Sequence, residues 1–384
     1  MLASLQLMLM LIRSTTYLPA LQIANKELLN LNPNLTPILN EKLQKEVKKL
    51  SEKKLTEFLQ GVDLYRRYLQ DYQGEERLDG KVIWQSGSVS LIDYNEELSG
   101  EYTVFLIPSL INKSYIFDIS PEKSFIRFLK KQGVNVFLID WGEPTELEHD
   151  FNCTDYIEKR LLPAFAALRN KVSENKNSKI IPVGYCLGGM FAMALAQLKK
   201  DEVDGLALLA TPWDFSTDEL WHFSDTEMLS NMLNCYKILP PFALQYIFML
   251  MNIETIEEKF RKLYMCKDVS GFMAIEGWLN DGVSITVPAA KELFIDLVHE
   301  NKAYKGEWIV CGEVIQPEKI ETPTLIVVPK KDKIVPASCS GILSERLPNN
   351  TLLENNSGHI GMLIGNKARA ELWKPFADWL KKAL

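Results

Sequence analysis

Residues 184–189 read Gly-Tyr-Cys-Leu-Gly-Gly, a pattern that is typical of a tight turn carrying a nucleophile. The run before it, 179–183, is short and apolar and predicts a buried parallel strand, whereas 189–196 predicts a helix. A G-x-C-x-G match indicates a nucleophile only when the motif lies in a tight turn between a strand and a helix, as it does here. The flanking glycines leave room for a turn that lifts Cys186 above the sheet. The alternative, a structural cysteine in an ordinary turn, leaves these glycines without a packing purpose.

A nucleophilic cysteine needs a base, and the chain contains four histidines: His149, His222, His299 and His359. Residues 323–329 predict a β-branched strand that is followed by Asp332, and residues 351–354 predict a strand that is followed by His359. In the α/β-hydrolase fold the nucleophile, the acid and the histidine follow one another along the chain in this order. The order Cys186, Asp332, His359 therefore predicts a catalytic triad. The other three histidines are expected on the surface or in structural roles.

The turn at residues 184–189, which we call the elbow, also predicts hydrogen-bond donors for an oxyanion. Leu187 opens the helix after Cys186, so its backbone N–H lies where the positive end of the helix dipole favours negative charge. The turn after the strand at 102–107 offers a second donor from the backbone of Ser109 or Leu110. Each such donor typically contributes ~3 kcal/mol of transition-state stabilisation.

The composition favours a cytoplasmic enzyme without a metal. The 384 residues are 47% hydrophobic, which is enough for a large core, and the net charge of −7 disfavours nucleic acid as a partner. Six cysteines occur without C-x-x-C spacing or histidine clusters, so the sequence has no recognisable zinc site and fits a reducing compartment. We therefore expect neither a metal nor another cofactor.

The alternation of strand-like and helix-like segments predicts a mostly parallel sheet with helices on both faces. We expect residues 81–210 and 309–384 to form the two parts of an α/β-hydrolase core, preceded by a helical N-terminal extension at 1–80. Residues 211–308 are rich in Met, Phe, Trp and Tyr and predict helices that interrupt the sheet. This helical insertion is expected to form a cap over Cys186.

The first dozen residues, 1–12, are almost wholly apolar and are followed by Arg13. A secretory signal would have a basic start and a small-residue cleavage site, and neither is clear in this sequence. The run is also shorter than the ~20 residues that a bilayer-spanning helix needs. Two interpretations stay open for this segment: a helix that packs on the fold, or a helix that lies on an apolar surface.

Three further segments resemble signatures of the polyhydroxyalkanoate synthase family. Residues 106–118 read LIPSLINKSYIFD, residues 137–144 read FLIDWGEP, and residues 277–283 read GWLNDGV. The cysteine elbow and the Gly-His-Ile-Gly turn at 358–361 complete five motifs in the family's order. The chain most resembles a short, α/β-hydrolase-like branch of this family.

The resemblance implies transfer of acyl groups from 3-hydroxyacyl-CoA to a growing polyester chain. Cys186 matches the family's acyl-accepting nucleophile, His359 its base, and Asp332 the acidic partner of that base. CoA enters as a thioester substrate and not as a bound cofactor. Some short members of the family work only with a second subunit. A second synthase subunit or a homodimer, and the surface of a polyester granule, are therefore the partners to consider.

The chain departs from the family pattern at Lys333, where many synthases carry a histidine directly after the catalytic aspartate. The lysines at 330, 331 and 333 either attract CoA phosphates or form an ordinary solvated loop. Three functions stay open. The first is a polyester synthase. The second is a hydrolase on the same scaffold: an acyl-CoA thioesterase, an intracellular polyester depolymerase or a lactone hydrolase. The third, a non-catalytic granule-surface or scaffold protein, is disfavoured by the intact set of nucleophile, acid and base.

Overall fold

A computed structural model describes residues 52–71, 74–173, 178–216, 226–241, 243–244, 254–265 and 268–384. These residues fall into two compact units. One contains the described residues up to 75 together with those from 227 to 284, and the other contains those from 76 to 226 together with 285–384. The apolar segment at 1–12 and His222 lie outside the described residues.

An eight-stranded sheet forms the centre of the second unit. Its strands in chain order are β1 (Lys81–Ser86), β2 (Val89–Asp93), β3 (Tyr102–Ile107), β4 (Asn135–Asp140), β5 (Lys179–Tyr185), β6 (Leu206–Leu209), β7 (Thr324–Pro329) and β8 (Asn350–Asn355). They lie side by side in the order β1-β2-β4-β3-β5-β6-β7-β8. The pairs β1–β2 and β2–β4 are antiparallel, and the other five pairs are parallel. The expectation of a mostly parallel sheet is therefore confirmed.

Burial explains why the parallel strands have continuous apolar sequences. All six residues of β7 are buried, as are all residues of β3 except the first. A strand that is covered on both faces has no solvent-facing positions at which polar residues would alternate. The edge strand β8 differs, because it exposes Thr351, Leu352 and Glu354.

The second unit also contains short and long helices: Phe125–Lys131, Cys153–Tyr156, Leu162–Val172, Leu187–Leu198, Val287–Lys291, Lys302–Lys305, Ala337–Gly341, Leu343–Arg346, His359–Ile364 and Lys374–Ala383. Its π-helical segments are Ile157–Leu161, Glu292–His299 and Arg369–Trp373, its 3₁₀ turns are Ser114–Phe117 and Pro317–Lys319, and its short strands are Ile285–Thr286, Ile309–Val310 and Glu313–Val314. We call Leu187–Leu198 the elbow helix and His359–Ile364 the histidine helix. The elbow helix is buried from Leu187 to Gln197, in agreement with the helix that the sequence predicts there.

The first unit is helical in its described part: Glu52–Asp71, Thr226–Leu233, Glu254–Met265 and Val269–Asn280, with a short strand Ile238–Leu239. Its core is an apolar cluster of Phe58, Tyr65, Phe260, Leu263 and Met273. A side chain at Gly61 would overlap the carbonyl oxygen of Phe260, so glycine lets the helices Glu52–Asp71 and Glu254–Met265 approach closely. Within the described segments, no helix combines the length and the apolar character that are needed to cross a bilayer.

The direction of the strands in the second unit determines where its polar side chains meet. Strands β3, β5, β7 and β8 run parallel, so their carboxyl ends point to the same edge of the sheet. Ser109 follows β3, Cys186 follows β5, Asp332 follows β7 and His359 follows β8. Ligands of open α/β sheets bind at this edge. The edge is therefore the place to look for a functional site.

Candidate active site

Cys186 lies in a strained turn between β5 and the elbow helix. Its backbone has φ 55° and ψ −128°, a combination that a residue with a side chain rarely adopts. The backbone N–H of Cys186 donates to the carbonyl oxygen of Leu209 at 2.9 Å, which holds the turn against β6. The cysteine is 9% exposed, so the residue is nearly closed off from bulk solvent. This is the geometry of a nucleophile elbow.

Glycines make the tight turn possible. A side chain at Gly184 would overlap the backbone of Gly188 and Gly189, and a side chain at Gly189 would overlap the side chain of Thr211. The first turn of the elbow helix can therefore lie directly on β5 and beside the end of β6. The packing purpose that the sequence suggested for these glycines is present in the structure.

His359 and Asp332 are in direct contact. The Nδ1 atom of His359 lies 2.6 Å from the Oδ2 atom of Asp332, and both residues are 7% exposed. The second carboxylate oxygen of Asp332 accepts the backbone N–H groups of Ile334 and Val335 at 2.8 and 2.9 Å. These hydrogen bonds fix the carboxylate so that one of its oxygens faces the imidazole.

The two loops that carry the acid and the histidine are joined by their backbones. The N–H of Lys330 donates to the carbonyl oxygen of Asn355 at 2.8 Å, and the N–H of Lys331 donates to that of Ser357 at 2.9 Å. These bonds continue the parallel pairing of β7 and β8 beyond the ends of the strands. The separation between Asp332 and His359 is therefore set by the sheet and not by the side chains alone.

The charges around His359 favour its protonated form. Burial by itself would lower the pKa of the imidazole, but the negative charges of Asp332 and Cys186, together with hydrogen bonds to both side chains, outweigh it and raise the pKa to about 10. Because Nδ1 is bound to Asp332, the Nε2 side of the ring is the one left for the sulfur. The structure thus brings Cys186, His359 and Asp332 together, with Asp332 hydrogen-bonded to the ring and Cys186 close enough to raise its pKa.

Tyr185 supports the histidine and is a residue that our sequence interpretation missed. Its hydroxyl donates to the carbonyl oxygen of His359 at 3.3 Å, and its ring lies over the imidazole with centroids 5.0 Å apart. On its other side the ring meets Phe117 edge-to-face at 6.2 Å. The position of Tyr185 beside Cys186 is visible in the sequence, but its contact with a residue 174 positions away is not.

The turn that was expected to supply a second oxyanion donor lies against the elbow. A side chain at Gly188 would overlap the carbonyl oxygens of Ile107 and Pro108, which places the start of that turn beside the first turn of the elbow helix. Ser109 and Leu110 are both buried, as is Leu187. The hydroxyl of Ser109 has no hydrogen-bond partner among the described residues. The roles of Leu187, Ser109 and Leu110 stay predictions.

Other polar residues from the sequence analysis lie in ordinary surface contacts. The Nζ atom of Lys330 pairs with Glu354 of β8 at 2.8 Å, with both side chains about half exposed. His149 contacts the carbonyl oxygen of Glu146, and its Nε2 atom lies 3.0 Å from the exposed carboxylate of Asp150. These contacts agree with the surface interpretation of Lys330 and His149.

Comparison with known proteins is consistent with this geometry. A family model described as alpha/beta hydrolase fold matches residues 102–234. The poly(3-hydroxyalkanoate) polymerase subunit PhaC of Haloferax mediterranei is 27% identical over 312 residues, which cover 78% of this chain and 63% of that protein. The subunits of the same name from Haloarcula marismortui and Synechocystis sp. are 25% and 24% identical, over 78% and 86% of this chain and 66% and 93% of theirs.

The chain spans slightly less than two thirds of the Haloferax and Haloarcula proteins, and nearly the whole length of the Synechocystis protein. The matched family residues begin with β3 and include the elbow, and the sheet has the parallel order described above. The expected fold and the expected resemblance are therefore both confirmed. The chain has the α/β-hydrolase fold and is similar over most of its length to the poly(3-hydroxyalkanoate) polymerases.

Proposed function

We propose that the chain is an acyltransferase of the polyhydroxyalkanoate polymerase type, which builds a polyester from 3-hydroxyacyl-CoA through an acyl thioester on Cys186. One observation carries the proposal: His359 is hydrogen-bonded to Asp332 through Nδ1, and its imidazole interacts electrostatically with Cys186, which lies at a strained elbow. The names of the polymerase relatives supply the class of reaction.

In the first half-reaction the Cys186 thiolate attacks the carbonyl carbon of the CoA thioester. A bond forms between the Cys186 sulfur and that carbon, and the bond between the carbon and the CoA sulfur breaks. The raised pKa of His359 means that the ring carries a proton at neutral pH, which it gives to the departing CoA thiolate. One thioester replaces another, so little free energy separates the two sides of the step.

In the second half-reaction a hydroxyl attacks the acyl group on Cys186. Acylation removes the negative charge of the sulfur, which is one of the causes of the raised pKa of His359, so the pKa falls and the ring that gave its proton to CoA stays neutral, ready to accept another. His359 takes the proton of the hydroxyl while its oxygen forms an ester bond with the acyl carbon. The Cys186 thiolate leaves, and the thiolate beside a protonated ring is restored.

Asp332 acts on the ring and not on the substrate. Its carboxylate fixes the orientation of the imidazole through Nδ1 and stabilises the positive charge that the ring carries in both half-reactions.

We further propose that the protein acts in the cytoplasm at a polyester granule surface, with a second synthase subunit or a second copy of the chain. The word "subunit" in the names of its relatives supports a partner.

The test is to incubate the purified protein with a series of 3-hydroxyacyl-CoA thioesters of four to ten carbons. Free CoA and the fate of the acyl group are followed together. We expect release of CoA, an insoluble polyester, and an acyl adduct on Cys186 that mass spectrometry detects after a short reaction. Cys186→Ala should abolish all three. Cys153→Ala, which changes a fully buried cysteine elsewhere in the same unit, should leave them intact.

Two results would contradict the proposal in different ways. Release of CoA with only free 3-hydroxy acid would replace the polymerase by a thioesterase on the same scaffold. Full activity of Cys186→Ala would remove the cysteine from the mechanism altogether.

A further inference from the structure

Trp141 connects two strand ends next to the elbow. It follows the last residue of β4 and is 2% exposed. Its indole Nε1–H donates to the carbonyl oxygen of Pro108 at 3.1 Å, and Pro108 is the first residue after β3. A side chain from one strand end thus holds the backbone of the turn that leaves its neighbour in the sheet.

The hydrogen bond fixes the direction of one backbone N–H. The carbonyl of Pro108 and the N–H of Ser109 belong to the same planar peptide unit, which is trans. In such a unit the oxygen and the hydrogen point in opposite directions. Once Trp141 holds the oxygen, the N–H of Ser109 has to point away from the indole, and it cannot rotate without breaking that bond.

The first turn of the elbow helix also lies against the carbonyl of Pro108. A side chain at Gly188 would come within 2.5 Å of this oxygen, which is the same atom that the indole N–H binds. This places the peptide that Trp141 orients against the residues directly after Cys186. An oxyanion formed on an acyl group at Cys186 would develop beside that part of the chain.

Trp141 is itself held rigidly. Its ring meets Phe191 of the elbow helix edge-to-face with centroids 5.7 Å apart, and it meets Tyr156 at 6.1 Å in the same way. The hydroxyl of Ser88 donates to the carbonyl oxygen of Trp141 at 2.9 Å. A donor that is packed in this way can impose its direction on its acceptor, because neither its ring nor its backbone is free to follow a movement of the turn.

We propose that Trp141 is a positioning residue for acyl transfer, whose indole N–H orients the Ser109 peptide so that its N–H is offered to the oxyanion. The inference rests on the proposed function, because it needs an acyl group on Cys186. The chemical steps are unchanged by it: Trp141 makes and breaks no bond and touches no substrate. It acts only through the peptide that it holds.

The test separates chemistry that needs an oxyanion from chemistry that does not. Acylation of Cys186 by p-nitrophenyl acetate passes through a tetrahedral oxyanion, whereas alkylation of the same sulfur by iodoacetamide does not. We replace Trp141 by phenylalanine and, in a second variant, by benzothienylalanine, which has the shape of tryptophan but carries sulfur in place of the N–H. The second variant leaves the packing intact, so its folding is secure. Alkylation is quantified by mass spectrometry of the Cys186 peptide.

We expect both variants to acylate Cys186 about 10- to 100-fold more slowly, since loss of a whole oxyanion donor typically costs about 10²- to 10³-fold. The rate of alkylation should change less than about twofold, and KM for the ester should stay unchanged. Trp308→Phe is the matched control: it removes another buried indole N–H, which donates to Glu292 at 3.2 Å, and both rates should stay as in the wild type.

Two outcomes would overturn the inference. Equal losses in acylation and alkylation would show that Trp141 only supports the packing of the elbow, and unchanged acylation in the benzothienylalanine variant would show that its N–H orients nothing. Failure of the proposed function is a separate result, because the wild-type protein would then form no polyester from 3-hydroxyacyl-CoA, whatever the Trp141 variants do to the acylation of Cys186 by the ester.

Discussion

The imidazole of His359 lies 2.6 Å from the carboxylate of Asp332, and the distance is held by backbone bonds between the loops that carry the two residues. Because the carboxylate is also bound by two backbone N–H groups, it cannot turn away from the ring. The contact is therefore fixed by the backbone of the sheet and its loops. It allows the charge on Asp332 to be changed while its position is kept.

Asp332→Asn should remove the charge and keep the shape. We expect kcat for acyl transfer to fall about 10³- to 10⁴-fold, the loss typical of an acid partner replaced by its amide. NMR titration of the imidazole should show the pKa of His359 falling from about 10, because the Asp332 charge is a main cause of its rise. Asp93→Asn changes a buried carboxylate that also accepts a local backbone N–H, and it should leave kcat intact. Wild-type activity in Asp332→Asn would exclude the carboxylate from catalysis.

The raised pKa of His359 also fixes the sign of a pH effect on stability. An unfolded histidine releases its proton near pH 6.5, whereas the folded ring holds it to about pH 10. The proton therefore stabilises the folded state fully below pH 6.5, and this contribution is lost as the pH rises through 10. Urea unfolding is measured at pH 6, 8 and 10. As the pH rises, the free energy of unfolding of the wild type should fall relative to that of His359→Gln. A difference that grows with pH would contradict the raised pKa.

Gly188→Ala should damage both the elbow and the turn after β3. The added methyl group would overlap backbone carbonyl oxygens, which cannot move aside as a flexible side chain can. We expect a loss of about 1–3 kcal/mol in the free energy of unfolding, the usual cost of overpacking, together with a large loss of kcat. Gly341→Ala is the control, because a methyl group there has no atom within 4 Å, and it should be neutral or slightly stabilising. Calorimetry and steady-state kinetics measure both effects. Equal behaviour of the two variants would contradict the close approach at Gly188.

Tyr185→Phe should keep the ring over the imidazole and remove one hydrogen bond to the backbone of His359. A neutral hydrogen bond contributes about 1 kcal/mol net, so we expect kcat to fall about threefold to tenfold with KM unchanged. The control is Tyr65→Phe, in the core of the other unit, which should affect stability without affecting kcat. If the two variants lowered kcat equally, the hydroxyl of Tyr185 would have no particular link to the histidine.

Much of the candidate site follows from local sequence. The glycines around Cys186 need only a strand before them and a helix after them to define an elbow, and both were readable from apolar runs. The order of Cys186, Asp332 and His359 then follows from the rule that parallel strands present their carboxyl ends at one edge. A sequence pattern identifies such residues because strand, turn and helix are decided by neighbours a few positions apart.

The contacts of Trp141 with Pro108 and of Tyr185 with His359 could not be inferred in this way. They join residues 33 and 174 positions apart, and in each case a side chain donates to a backbone carbonyl, which leaves no mark on the residue type of the acceptor. By itself, the sequence of this protein determined the class of fold and the three side chains that meet at its sheet edge. Only the tertiary structure decided what holds them in place, because the direction of a buried donor depends on the packing of every element around it.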